Sequence, residues 1–326
     1  MITYENLARR PSSFKSMTGF SVEAFQSLFH AFERAFDDRR HASPTTKRRG
    51  LPRQRAAGAG HPCSHDRRTR LLMTLIWLRL YPTFEVLGFL FSLNKTNAHD
   101  AVNEGLATLE TLADFPFERP AADRKKLRSM AAVMDAFPDV HLVIDAKEQP
   151  IQRPTSTKEE DRQKPFYSGK KKRHTLKTEI GVEPDGQVGA VSESVPGGAT
   201  HDLTLLRQTR LVEQLDAETE AGMLDKAYVG ARKDFPDHRL VIPFKASRGH
   251  PLTEEQKAFN RRVAQYRIVV EHTNAQLNIF QALAQVYRHA REGHTRTVRV
   301  VAMLVNRRVR ECPLKSYPAV PVLEGA

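Results

Sequence analysis

The pattern of apolar residues changes near residue 139, and this change constrains the fold more than any other feature of the chain. Before it, apolar residues recur three or four positions apart, which is the spacing of amphipathic helices. After it, short apolar runs of strand length alternate with helical stretches and with turns rich in Pro, Gly and Asp. A chain of 326 residues is long enough for two domains that each bury a core. The sequence therefore predicts a helical N-terminal domain followed by a mixed α/β domain.

The second part of the sequence contains five predicted strands. They are the segments HLVIDA, KRHTLKTEIGVE, QVGAVSESV, GMLDKAY and RLVIPF. A helix, LTLLRQTRLVEQL, is predicted before the fourth strand, and a long helix over residues 253–283 is predicted after the fifth. The long helix begins with the capping-box spacing of Thr253 and Gln256. A last amphipathic helix, TRTVRVVAMLVNRRVRE, closes this mixed α/β domain.

Residues 1–110 have the pattern of a helical domain. Helices are predicted over residues 21–36 and 70–80. Two more follow, TFEVLGFLF capped by Thr83 and KTNAHDAVNEGLATLE capped by Asn94, with a three-residue break between them. This spacing favours a helix-turn-helix, whose second helix enters the major groove of DNA, although any helical hairpin has a similar period. The side chains predicted to face DNA are Lys95, Thr96, Asn97, His99 and Asn103.

The charge balance indicates a polyanionic partner. Lys and Arg total 51 against 38 Asp and Glu, which gives a formal net charge of +13. This surplus favours binding to double-stranded DNA, although a basic surface without a partner is the alternative. Residues 39–70 hold ten Lys or Arg and a single acid, Asp66, among several Pro and Gly. We interpret this stretch as an irregular basic arm; phosphate contact and a plain linker explain it equally well.

Several other classes of protein are not expected. The two cysteines, Cys63 and Cys312, have no second Cys or His at zinc-finger spacing, so neither a structural zinc site nor a disulfide framework is predicted. Residues 1–13 lack the apolar core of a secretory signal. The most apolar stretch, residues 71–82, is too short to cross a bilayer and contains Arg79. We therefore expect a cytoplasmic, nucleoid-associated protein with no membrane partner.

Three acidic residues stand at informative places in the predicted elements. Asp145 ends the run HLVID, Asp225 ends GMLD, and Glu271 lies within the helical pattern YRIVVEHTNAQL. In a ribonuclease-H-like sheet the first strand is central and the fourth lies beside it, so the two aspartates would be neighbours and the closing helix would bring the glutamate. Each acid alone has an ordinary explanation, as a turn former or as a helical ion pair with Arg267. Together they predict a site for Mg²⁺ or Mn²⁺, because these hard cations take oxygen ligands.

Five ordered segments carry a resemblance to a known family. They are VIDAKEQPIQRP, FYSGKKKRHTLKTEIGV, VPGGATHDLTLL, MLDKAYVG and YRIVVEHTNAQLNIFQAL. In this order they resemble the DDE transposases of the insertion-sequence-5 group and their PIF/Harbinger relatives. PTFEVLGFLF and the helix after it resemble that family's DNA-binding segment. The resemblance implies a ribonuclease-H-like catalytic domain in which Asp145, Asp225 and Glu271 hold two divalent ions, Mg²⁺ or Mn²⁺ as a substitute.

The resemblance also assigns supporting positions. His201 and Asp202 match an HD pair near the family's site, although capping of the next helix explains them equally well. Tyr228 and Arg267 match as well. Because Arg267 precedes Glu271 by one helical turn, it would orient that acid or hold a phosphate.

Three positions depart from the family's pattern. Lys147 stands where Thr is usual, Ala227 where Gly is usual, and Asn278 where Lys is usual. The loss of that Lys removes an expected contact to the DNA backbone, which other cations would replace. The predicted phosphate contacts are Lys170, Lys171, Lys172, Arg173, Lys177, Arg261 and Arg262. A solvated strand end explains the lysine run equally well.

Together these observations predict a two-domain enzyme. Residues 1–110 would form the DNA-binding domain, 111–138 a connector with one short helix, 139–312 the catalytic domain and 313–326 a tail. The expected function is binding to the terminal inverted repeats of an insertion sequence, followed by metal-dependent cleavage and strand transfer by a homo-oligomer. Two alternatives stay open: a DNA-binding regulator whose DDE-derived domain does not cut, and a nuclease of the same fold that does not join strands.

Overall fold

A computed structural model describes residues 1–42, 65–113, 137, 139–155, 163–198 and 200–311. Most of the predicted basic arm, the helix expected in the connector, the tail and both cysteines lie outside these residues. The chain forms two compact units. One contains the N-terminal helices together with Asn278–Gln285 and Arg296–Leu304, and the other contains the sheet. None of the described helices combines the length and the hydropathy that crossing a membrane requires.

The first unit begins with six helices. They are α1 (Tyr4–Ala8), α2 (Pro11–Thr18), α3 (Val22–Ala42), α4 (Arg67–Leu80), α5 (Phe84–Phe91) and α6 (Lys95–Glu110). The apolar face predicted for α3 is buried, with Phe25 and Phe32 completely enclosed. Residues 71–78 of α4 are all buried, which explains why this part of the helix is almost entirely apolar.

The ends of the predicted basic arm are helical, which corrects the expectation of an irregular stretch over residues 39–70. Arg39 lies in α3, and its Nη1 donates hydrogen bonds to the carbonyl oxygen of Glu104 at 3.3 Å and to Oγ1 of Thr108 at 2.9 Å. Arg70 lies in α4 and forms a salt bridge with Glu104. These cations find acceptors on α6, so their charge stabilises the helical packing.

Helices α5 and α6 form the predicted helix-turn-helix. Thr83 and Asn94 cap them as predicted, because each side chain accepts a hydrogen bond from the backbone N–H three residues later. In the turn, Ser92 has a φ of 55°, and the N–H of Leu93 donates to the carbonyl oxygen of Gly88 at 2.8 Å. A Cβ atom on Gly88 would lie 2.6 Å from the carbonyl oxygen of Leu93. The tight turn therefore depends on glycine at this position.

The second unit is built on a seven-stranded mixed sheet. Its strands are β1 (Val140–Pro150), β2 (Tyr167–Ser168), β3 (Arg173–Val182), β4 (Val188–Val191), β5 (Val195–Pro196), β6 (Ala221–Met223) and β7 (Arg239–Val241). The order is β2-β3-β1-β6-β7, and β4 and β5 also pair with β3. β1 is antiparallel to β3 and parallel to β6. The first strand is thus central and has the fourth predicted strand, β6, beside it, as expected of a ribonuclease-H-like sheet.

The remaining described α-helices flank these strands in sequence. They are α7 (Gln163–Phe166), α8 (Asp202–Thr209), α9 (Ala231–Asp234), α10 (Glu254–Asn278), α11 (Gln281–Ala284) and α12 (His294–Glu311). The predicted capping box opens α10: the N–H of Gln256 donates to Oγ1 of Thr253 at 3.2 Å, and the N–H of Thr253 donates to Oε1 of Gln256 at 3.1 Å.

Three predicted boundaries are wrong, each because the backbone turns where the apolar pattern continues. Arg210 adopts a φ of 51° and ends α8, and a 3₁₀ helix, Leu211–Gln214, follows it. The strand predicted over GMLDKAY ends at Met223, because Asp225 caps a 3₁₀ turn. The long helix ends at Asn278, five residues short of its predicted end, and α11 is a separate turn.

Candidate active site

The pairing of β1 with β6 brings the two aspartates to the same edge of the sheet. Val143 lies opposite Met223 in this parallel pair. Asp145 and Asp225 each come two residues later, so they follow the paired residues in the same direction along neighbouring strands. Both side chains are half-buried. The adjacency predicted from the order of the elements is therefore what the strand register produces.

Glu271 lies on the exposed face of α10, and two other side chains of this helix reach Asp145. Nη2 of Arg267 donates to Oδ1 of Asp145 at 3.3 Å, and Nδ2 of Asn274 donates to Oδ2 at 3.3 Å. Arg267, Glu271 and Asn274 are four and three residues apart, the spacing of neighbours on one helical face. Sequence reasoning missed Asn274, although this spacing was a signal that could have found it.

The pKa of Asp145 responds to both of the other acids. Burial raises the pKa of Asp145 above its usual value. The positive charge of Arg267 opposes this rise, whereas repulsion from Asp225 and Glu271 adds to it. A divalent cation between the acids would relieve this repulsion and favour the ionised carboxylates.

The acids do not form a closed ligand set. In the described part of the chain, no three His, Cys, Asp or Glu side chains come together closely enough to hold a metal ion. The oxygens of Asp145 accept from Arg267 and Asn274, and Oδ1 of Asp225 accepts from the N–H of Ala227 at 2.6 Å. The donor chemistry fits a hard cation, but ion binding would require these acids to move closer together.

The turn that follows Asp225 is anchored by a buried tyrosine. Tyr228 is 1% exposed, and its hydroxyl donates to Oε1 of Glu179 at 3.2 Å. Thr209 donates to Oε2 of the same carboxyl group at 2.5 Å. Sequence reasoning named Tyr228 as a supporting residue but missed Glu179, whose place within β3, a strand of mixed polar and apolar residues, carries no signal of this contact.

The HD pair has two different environments. His201 is exposed and occupies the N-cap position of α8, but its side chain makes no capping hydrogen bond. Asp202 accepts from Nζ of Lys177 at 3.0 Å, and Lys177 also lies 3.4 Å from Glu148. Lys177 is only 6% exposed, so its prediction as a phosphate contact is wrong. Its charge neutralises these half-buried acids instead.

One departure from the family's pattern places a cation near the acids. Lys147 follows Asp145 by two residues on β1 and is half-buried. Burial lowers the pKa of Lys147 to about 8; the negative charge of Asp145 opposes this shift and the positive charge of Lys171 adds to it. A lysine here gives the edge of the site a positive charge that the usual Thr would lack.

The cations and polar groups predicted to contact DNA are mostly exposed. Seven of the exposed predicted residues are cationic: Lys95, Lys170, Lys171, Lys172, Arg173, Arg261 and Arg262. Thr96 and Asn97 are exposed at the start of α6. His99 is half-buried and packs edge-on against Phe84 at 5.0 Å between ring centroids, and Asn103 hydrogen-bonds to its ring. Their contact with DNA stays a prediction.

Comparisons with known proteins match two separate parts of the chain. The family described as DDE superfamily endonuclease matches residues 144–306, the interval that holds the three acids. The family described as helix-turn-helix of DDE superfamily endonuclease matches residues 66–114, which include α5 and α6. Over 228 residues the chain is 30% identical to the probable transposase for insertion sequence element IS702 of Microchaete diplosiphon, covering 69% of this chain and 75% of that protein. No solved structure matches the chain.

Proposed function

Since the chain belongs to the DDE superfamily endonucleases, we propose that it is a DNA transposase of the insertion-sequence-5 group with PIF/Harbinger relatives. It binds the terminal inverted repeats of an insertion sequence, cuts the DNA there and joins the cut ends to a target. Two observations support this proposal in a chain that also has a helix-turn-helix. Asp145 and Asp225 follow paired residues of neighbouring strands, and the helix that carries Glu271 contacts Asp145 through Arg267 and Asn274.

The proposed metal ligands are the same three acids, which would hold two Mg²⁺ ions, or Mn²⁺ as a substitute. Bound ions supply positive charge that activates an attacking oxygen and stabilises a leaving one during phosphodiester displacement. Asp145 would have to loosen its contacts with Arg267 and Asn274. These contacts, at 3.3 Å each, are long for hydrogen bonds to a carboxylate, which makes such a change inexpensive.

The proposed reaction has two displacement steps, and separate groups of residues bind the DNA for it. Water attacks the phosphodiester at the element end, and the freed 3′-hydroxyl then attacks the target in a second in-line displacement. The exposed side chains at the start of α6 read the repeat, while Lys170 to Arg173, with Arg261 and Arg262, hold phosphates. Because two element ends have to be held together, the protein acts as a homo-oligomer. We place this activity at the nucleoid.

A second candidate is a DNA-binding regulator with a sheet domain that does not cut. The lack of a closed ligand set among the described acids favours it. A cleavage assay separates the candidates. Inverted repeats bounded by a short direct duplication in the flanking DNA identify the element ends, and labelled end DNA is then mixed with the protein and Mg²⁺ or Mn²⁺.

The transposase predicts nicking at the repeat end and labelled products joined to a target plasmid. Specific binding without nicking under either metal would support the regulator and overturn the proposal. Nicking without joined products would instead support a nuclease of the same fold.

A further inference from the structure

Glu179 is a buried carboxyl group close to the proposed site but on the other face of the sheet. Its side chain is 0% exposed. On β3 it lies opposite Ala146, whereas Ile180 lies opposite Asp145. Paired residues of an antiparallel sheet share a face, and successive residues alternate between faces. Glu179 therefore points away from Asp145, into the space between the sheet and α8.

This location is costly for an acid. The neighbouring cluster is apolar, with Leu142, Ile144 and Leu206 all completely buried. Burial raises the pKa of Glu179 to about 7, and the hydroxyl groups of Thr209 and Tyr228 oppose this rise. A buried polar group restricts the orientation of its hydrogen-bond partners, because each partner has to stay in place to satisfy it.

The partner that matters is Tyr228, because it belongs to the turn that carries Asp225. Asp225 is the N-cap of the 3₁₀ turn Lys226–Tyr228, and its Oδ1 accepts from the N–H of Ala227 at 2.6 Å. The N–H of Tyr228 donates to the carbonyl oxygen of Asp225 at 3.2 Å. The position of Tyr228 therefore affects the direction of the Asp225 carboxylate. Glu179 holds the end of the Tyr228 ring, because it accepts the hydrogen bond from the Tyr228 hydroxyl.

We propose that Glu179 is a positioning residue which, through Tyr228, holds the backbone of the turn that carries Asp225 and so limits where that carboxylate can meet a divalent cation. The inference rests on the proposed function, because it assumes that Asp225 is a metal ligand. Groups that hydrogen-bond behind metal ligands typically change metal affinity by about 10- to 100-fold when they are removed. Glu179 acts one step further back, through Tyr228 and the backbone of the turn.

The test is a titration of the full-length protein with Mn²⁺, followed by electron paramagnetic resonance or calorimetry, with thermal unfolding measured in parallel. Glu179→Ala and Tyr228→Phe each break the link and are expected to weaken Mn²⁺ binding by about tenfold. Glu179→Gln keeps an oxygen for Tyr228 and turns its amide toward the Thr209 oxygen, so its affinity should stay within about threefold of wild type.

Thr209→Val is the matched control, because it removes the other hydrogen bond to Glu179 and leaves the Tyr228 hydroxyl its acceptor. If the role is purely structural, Thr209→Val and Glu179→Ala both lower the unfolding temperature, and neither changes the Mn²⁺ affinity of the folded protein. Unchanged Mn²⁺ affinity in Glu179→Ala would overturn the inference. Equal losses of affinity in Glu179→Gln and Glu179→Ala would overturn it too. If Glu179→Ala does not fold, Tyr228→Phe decides.

Asp225→Asn separates failure of this inference from failure of the proposed function. If Asp225→Asn binds Mn²⁺ as tightly as wild type, the proposed metal site is wrong and the role of Glu179 falls with it. If Asp225→Asn loses Mn²⁺ while Glu179→Ala and Tyr228→Phe keep it, the metal site stands and only the positioning role is refuted.

Discussion

Arg267 on α10 donates to Asp145 on β1 at 3.3 Å, so the helix that carries Glu271 is tied to the strand that carries the first acid. From the sequence, Arg267 was expected to orient Glu271 or to hold a phosphate. Those roles stay predictions, and the structure adds that Arg267 contacts Asp145 and opposes the burial-driven rise of that group's pKa. The positive charge thereby offsets part of the repulsion among the three acids, a role that divalent ions would take over in the proposed enzyme.

Asp225→Asn is expected to retain DNA binding and to reduce cleavage to background. The substitution preserves the shape of the side chain but removes a charge that the proposed metal ligands need. Binding is measured by gel shift and cleavage with labelled element-end DNA in Mg²⁺. Asp237→Asn, at an exposed aspartate of the same unit, is the matched control and should cut like wild type. Normal cleavage by Asp225→Asn would remove this residue from the mechanism.

The sequence predicted the neighbourhood of the aspartates because strand order alone places them together. It could not predict the contacts of Lys177. The alternation along β3 shows that successive side chains lie on opposite faces of the sheet, but it does not show which face α8 covers. A lysine in a basic stretch therefore resembled a phosphate contact, whereas its partners are Asp202 and Glu148. The break at Arg210 was hidden for a related reason: apolar residues continue on both sides of it, and only its backbone turns.

Asn97→Ala is expected to weaken specific binding to the element end by roughly 10- to 100-fold, the range for one good base contact, and to change nonspecific binding little. Asn97 is exposed at the start of α6, where a recognition helix meets base edges. Competition binding with end DNA and scrambled DNA measures the difference, with the exposed Ser12→Ala on α2 as control. Equal losses on both DNAs would contradict base reading. Deleting residues 1–110 is a poorer test of base reading, because the deletion would also remove most of the unit in which Leu283 is buried.

The Lys170→Ala, Lys171→Ala double variant is expected to bind DNA with a weaker dependence on salt. Both lysines are exposed in the turn before β3. Each lysine–phosphate interaction that is removed should reduce the slope of log affinity against log salt by roughly 0.9. Fluorescence anisotropy on nonspecific duplex at several salt concentrations gives the slope. Lys233→Ala, at an exposed lysine on α9, should leave it unchanged. An unaltered slope in the double variant would mean that this turn does not touch DNA.

The buried Glu179 should make the protein less stable as the pH rises from about 4.5 to about 7. Burial raises its pKa from 4.5 to about 7 in the folded state, so in this window the folded protein holds a proton that the unfolded chain releases. The free energy of unfolding should therefore fall by roughly 2 to 3 kcal/mol across the window, with no further change from this group above it. Urea unfolding at several pH values should show a flatter profile for Glu179→Gln. Burial raises the pKa of Glu183 to about 7 as well, so Glu183→Gln supplies a comparison with the same sign. Parallel profiles for wild type and Glu179→Gln would show that Glu179 is ionised in the folded protein throughout this range.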